Sequence, residues 1–165
     1  SYALFFGLCN ATAILIGVTI GKNDTKLAYK MGVWVGRMSW IFGTVMGVLL
    51  FAFIPLLLKL YPSLLPETIQ MTRYSLYIFT AIVPFRVYNL CMIVGVFRSG
   101  GDVKFCMFTD MSGIWLISVP LVLLSGLVFK WPVYIVYGLT YLEEFIKVFV
   151  CRWRFVSKRW INKVV

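Results

Sequence analysis

Of the 165 residues, 61% are hydrophobic and 13% are charged, about half the charged share of a soluble globular domain, so the chain reads as a membrane protein. A net charge of +10, from 16 basic and 6 acidic residues, would suggest nucleic acid in a soluble protein; in a multi-pass membrane protein it anchors loops, and no nucleic-acid partner is expected. Histidine is absent, and no thiol–base pair or carboxylate cluster outside the apolar runs stands in for it, so no enzyme, metal site or organic cofactor is expected.

The first apolar run, 2–20, is long enough to span a hydrocarbon core about 30 Å thick. Asn10 and Thr12 lie near its centre. Their ordinary use is a hydrogen bond inside a bundle, and their functional use is to line a substrate cavity. Gly17 and Gly21 form a small-xxx-small pair leading into a polar loop, 22–30. The second span, 31–58, carries Gly32, Gly36, Gly43 and Gly47 on one helical face, a groove suited to close packing of helices. The connection 59–73 follows, with Pro62, and Pro66-Glu67-Thr68 has the composition of a first helical turn.

The third span, 74–97, contains Pro84, Arg86 and Asn89. Proline frees a backbone carbonyl, and Arg86 and Asn89 share a face. An arginine inside a membrane costs about 2.5–3.5 kcal/mol on insertion scales, so Arg86 is expected to face a partner or a water-filled cavity. A short polar hinge follows, in which Arg98, Gly100, Gly101 and Asp102 build a tight reversal; Asp102 is expected to accept from nearby backbone amides or to pair locally. In the fourth span, 105–128, Asp110 is expected to cap the hinge or reach Lys104. The fifth, 133–151, holds Glu143, Glu144 and Lys147, with Glu143 and Lys147 spaced for a local pair. The tail, 152–165, mixes Arg152, Arg154, Lys158 and Arg159 with Trp153, Phe155 and Trp160, the composition of an anchor on an anionic leaflet. The four cysteines read as small apolar fillers.

Basic residues sort the connections. Ten fall in 22–30, the hinge and the tail, while only Lys59, Arg73 and Lys130 fall on the opposite side. The hinge and the C-terminus are therefore expected in the cytoplasm, with the chain starting outside. Five spans, an outside start and a first residue other than Met suggest a piece of a longer protein.

FRSGGDVKFCMFTDMSGIWLISVPL and PVYIVYGLTYLEEFIKVFVCRWRFVSKRWINKVV, with ILIGVTIGKNDTKLAYKMG upstream, resemble the C-terminal portion of bacterial multidrug and toxic compound extrusion (MATE) transporters. The resemblance implies an all-α polytopic membrane protein of two six-helix bundles, of which this chain would supply the last five helices. It also implies a cell-membrane antiporter that exchanges small cationic or amphipathic drugs for Na+ or H+ by alternating access. Its partners would be the missing N-terminal bundle and the lipid bilayer. A related lipid-linked oligosaccharide flippase would want more basic residues in its cavity than Arg86, and an inactive truncated scaffold would carry no flux. Some family members carry an acidic residue where this chain reads Pro84-Phe85-Arg86-Val87-Tyr88-Asn89. The coupling carboxylate is therefore expected outside this chain, with Glu143 and Glu144 as the candidates within it. Asn10, Arg86, Asn89, Glu143 and Glu144 are the residues expected to line or brace the cavity, with Arg86 paired to Glu143 or Glu144.

Overall fold

The computed structural model describes residues 2–59 and 65–161, and every regular element among them is a helix. They are α1 (Tyr2–Gly21), α2 (Thr25–Lys59), α3 (Pro66–Phe97), α4 (Val103–Val128), α5 (Val133–Thr140) and α6 (Leu142–Val156). Among the described residues α2, α3 and α4 are long and apolar enough to cross a membrane, and the chain is a polytopic helical membrane protein.

Local chemistry accounts for the helix starts. Asn23 adopts a left-handed conformation (φ 63°) and the Asp24 carboxylate accepts from the Leu27 amide at 3.0 Å, so α2 begins at Thr25, well ahead of its apolar run. The expected loop over 22–30 is therefore mostly helix, and Lys26 and Lys30 stand on the first turns of α2. Helix α3 starts at Pro66, where a missing amide hydrogen costs nothing. Pro62 lies outside the described residues.

Helix α3 is the axis. Over the most apolar stretch of each helix, 56% of α3 is buried, against 17% of α2 and 11% of α4. The glycine face of α2 packs on it. A Cβ at Gly43 would stand 2.7 Å from the Pro84 Cα, and one at Gly47 would stand 2.9 Å from the Thr80 carbonyl oxygen, the group that loses its helical donor to Pro84. Gly36 meets only the Tyr88 and Met92 side chains at ordinary contact distance. Gly32 lies against a different helix, with the Phe155 ring of α6 2.6 Å from where its Cβ would be. The glycine groove thus has two partners, α3 and the end of α6. The Gly17 and Gly21 pair does not act this way, since nothing lies within 4 Å of a Cβ at Gly21.

Three stretches, Cys91–Phe97, Gly113–Ser118 and Leu124–Val128, wind as wide π-type turns. The second ends two residues before Pro120, which cannot donate to the helical ladder.

At the hinge end, Phe97, Phe155 and Trp160 belong to one buried apolar cluster together with Ile16, Tyr88 and Met92. Trp160 is fully buried, stacks on Phe155 with ring centroids 5.6 Å apart, and lies over Gly100, where any side chain would run into its carbonyl. Gly101 carries the left-handed turn (φ 84°). The tail therefore departs from the lipid anchor expected of it. Past Ser157 the backbone reverses through Lys158 (φ 55°) and folds Trp160 inward, so of the three tail aromatics only Trp153, 61% exposed, faces outward. Asp102 departs from its expected role as well: no side-chain cap forms, and its carboxylate takes two hydrogen bonds from Arg154 of α6, at 2.7 and 3.0 Å. This partner, 52 residues away in sequence, satisfies both oxygens of a buried carboxylate, which a local amide could not. The same hydrogen bonds hold the Arg154 pKa above its ordinary value, and its guanidinium lies over the Phe105 ring at 4.7 Å.

Candidate functional site

Midway along the bundle, α3, α4 and α6 part around a cavity of about 170 Å³ lined by Arg86, Asn89, Asp110, Glu144 and Lys147 among apolar neighbours. Its polar wall depends on a break at Tyr141 between α5 and α6, inside the span expected to be continuous over 133–151. The break creates a helix N-terminus, and Glu143 and Glu144 occupy its first turn, where the positive end of the helix favours carboxylates. Across the cavity, Arg86 and Asn89 project from one face of α3. Asn89 donates from Nδ2 to the Glu144 carboxylate and to the Glu144 carbonyl, both at 2.8 Å. Arg86 Nε is 3.8 Å from Glu144 Oε1, and its guanidinium lies 5.8 Å from the centre of the Tyr141 ring.

Lys147, one turn beyond Glu143, closes the group. Its Nζ is 3.5 Å from Glu143 Oε1 and 3.5 Å from Asp110 Oδ1. Gly113 of α4 makes the room, because a Cβ there would meet Lys147 Cε at 2.8 Å and Glu143 Oε2 at 2.9 Å. Five ionisable side chains from three helices thus form two neighbouring groups, Arg86 with Glu144 and Lys147 with Glu143 and Asp110, at spacings of 3.5–3.8 Å, longer than a fully formed charge-assisted hydrogen bond.

Of the residues expected at the site, the structure brings Arg86, Asn89, Glu143 and Glu144 together. It leaves Asn10 apart, exposed on α1, which contributes nothing to this cavity wall. Asp110 does not serve the hinge as expected. It sits two turns along α4 from Val103 and faces α6, so its reachable cation is Lys147. Sequence reasoning gave Lys147 only a local role and overlooked Gly113. The signal that points to Lys147 is the charge tally within the spans, since three intramembrane acids need more than Arg86 to offset them. Among the described residues, no group of three or more Cys, Asp or Glu side chains is placed to share a metal ion.

Comparison with family models gives a match to MatE over residues 1–124. The chain belongs to the MatE family. Membership places it among membrane efflux transporters rather than enzymes. The MatE match covers α1 to α3, the hinge and most of α4, including Arg86, Asn89 and Asp110; Glu143, Glu144 and Lys147 lie beyond it. No curated protein and no solved structure gives a significant match.

Proposed function

We propose that this chain forms part of the C-terminal bundle of a secondary antiporter that exports small cationic or amphipathic molecules in exchange for Na+ or H+. The observation that carries this reading is a cavity inside a MatE bundle lined by the acids Asp110 and Glu144 and the bases Arg86 and Lys147, with Glu143 beside Lys147 as a third acid. An excess of carboxylates favours a cationic guest over an anionic one. In this reading α1 to α4 each cross the cell membrane, and α5 with α6 makes the fifth crossing. The hinge and tail are cytoplasmic, and the exposed apolar faces of α2 and α4 meet lipid or an N-terminal bundle. Alternating access comes from rocking of one bundle against the other, with the charged groups on α3, α4 and α6 free to exchange partners.

Ethidium efflux from cells expressing the intact protein tests the proposal. Glu144→Gln, which keeps shape and removes charge, is expected to lower efflux several-fold at unchanged membrane abundance, and Arg86→Ala likewise. Unchanged efflux in both variants would remove the cavity from the account, and no ethidium efflux by the unmodified protein would remove the cationic-drug reading.

A further inference from the structure

The four cysteines, expected as small apolar fillers, are not equivalent. Cys106 and Cys151 sit in the apolar cluster at the hinge end, and the Cys106 thiol donates to the Ile93 carbonyl at 3.6 Å. Cys9 of α1 and Cys91 of α3 instead face each other. The Cys9 thiol donates to Cys91 Sγ at 3.1 Å, and both side chains are buried. Their helices run side by side here, since a Cβ at Gly95, one turn beyond Cys91, would stand 3.4 Å from the Cys9 carbonyl oxygen. Two sulfurs already in contact need to close by only about 1 Å to bond.

Cys91 has a second neighbour, an apolar pocket of about 180 Å³ between α1, α2 and α3, lined also by Thr12, Trp34, Met38, Ser39 and Phe42. Cys9 takes no part in that lining. Trp34 and Phe42 are exposed, so the pocket opens on an apolar face of a membrane protein. Its volume is close to that of an apolar cavity of about 150 Å³ that holds benzene. The Ser39 hydroxyl donates to the Val35 carbonyl at 2.6 Å, which leaves its oxygen free to accept from a guest. The pocket therefore suits a molecule with an apolar body and one O–H, and it delivers that molecule to Cys91 and not to Cys9.

We propose that Cys9 and Cys91 form a modification site for organic hydroperoxides of the lipid phase. Cys91 Sγ attacks the terminal peroxide oxygen: the O–O bond breaks, an S–O bond forms, and the thiol proton leaves on the alcohol. Cys9 Sγ then attacks the Cys91 sulfenic acid: an S–S bond forms, the S–O bond breaks, and the hydroxyl leaves as water with the Cys9 proton. One hydroperoxide is reduced to an alcohol and water while two thiols are oxidised to a disulfide, and a thiol reductant reverses the change. The bond ties α1 to α3 two residues beyond Asn89. The site stands on the geometry alone, while its consequence, arrest of efflux, rests on the antiporter reading above.

Peptide mass spectrometry on the intact protein in lipid nanodiscs, treated with cumene hydroperoxide and digested without reductant, tests this. The expected product is a cross-linked pair of peptides holding Cys9 and Cys91, lighter than their sum by the two thiol hydrogens and lost on adding dithiothreitol. It should form many-fold faster than with tetrathionate, a doubly charged oxidant that an apolar pocket excludes. Dimedone, which traps sulfenic acids, should label Cys91 in Cys9→Ser and leave Cys9 unlabelled in Cys91→Ser. Absence of the cross-link from the unmodified protein, equal rates with the two oxidants, or pairing through Cys106 or Cys151 instead would overturn the site. Labelling of Cys9 in Cys91→Ser would overturn the order of attack. If either variant fails to fold, the cross-link in the unmodified protein and its preference for the apolar oxidant decide. Ethidium efflux is read separately: a cross-linked protein as active as the reduced one keeps the site and removes the arrest, and a reduced protein that moves no ethidium removes only the antiporter reading.

Discussion

The hinge end and the middle of the bundle handle buried charge in opposite ways. At the hinge, one carboxylate meets one guanidinium through two hydrogen bonds, at 2.7 and 3.0 Å, with a fully buried tryptophan packed close by. In the middle, three acids and two bases gather beside a cavity at spacings of 3.5–3.8 Å, and among the described residues two buried acceptors go without a donor. A pair with matched number and geometry has one arrangement and holds its helices in place. A network with unequal numbers and long spacings has several arrangements of similar energy, and such a network can change partners. The contrast separates the part of this bundle built to stay fixed from the part able to respond.

Substitutions at both ends of this comparison would sharpen or break it, and the largest effects belong at the hinge. Trp160→Ala removes the side chain that fills the space over Gly100, and is expected to cost about 3–5 kcal/mol, the range for large aromatics in cores. Thermal unfolding in detergent should show a drop of many degrees; a drop no larger than that of Trp153→Ala would mean that Trp160 does not seal this end. Next comes Asp102→Ala, which leaves Arg154 unpaired and is expected to cost about 3 kcal/mol. Exchanging the pair, with Arg at 102 and Asp at 154, should recover part of the loss. A double exchange no better than the single change would mean that the geometry, and not the charge pair, holds the hinge.

On α2 the expected effect is intermediate and depends on position. Gly43→Ala drives a methyl group into the Pro84 backbone and should cost about 1–3 kcal/mol, whereas Gly36→Ala meets side chains at ordinary contact distance and should be close to neutral. Equal effects at both positions would contradict the packing described for α2 against α3. The smallest effect on stability is expected in the middle of the bundle. Arg86 is 41% exposed and 3.8 Å from its acid, so Arg86→Ala should change unfolding by no more than about 1 kcal/mol even while transport falls. A large loss of stability would make Arg86 a structural residue like Arg154.

Much of the fold was legible in the sequence because lipid imposes a simple code: long apolar runs, polar reversals, and glycines on one face of a helix. The glycine face of α2 follows from spacing alone, since four positions on one side of a helix have few other uses. The expected pairing of Arg86 with one of two glutamates follows from the cost of leaving any charge alone, and the structure selects Glu144. What sequence could not resolve was long-range partner choice. Asp102 looked local because glycines surround it, and its partner lies 52 residues away on another helix. The tail looked like a surface anchor because its composition fits one, but the positive φ at Lys158, which turns Trp160 inward, leaves no composition signal. Lys147 was hidden for a related reason. Its spacing to Glu143 explained it locally, and only the packing of α4 beside α6 brings Asp110 to its other side.

The burial of Trp160 over Gly100 also has a consequence for the order of biosynthesis. The hinge leaves the ribosome long before the tail, so during translation Gly100 and Asp102 wait without the two groups that cover them. The hinge end is completed only when Arg154 and Trp160 emerge, which makes this segment a late checkpoint on assembly. A stop codon or fusion junction placed just after Val156 would leave every helix intact and still strip the cover from the hinge. Shortened or tagged versions of this protein should therefore keep their sequence through Trp160.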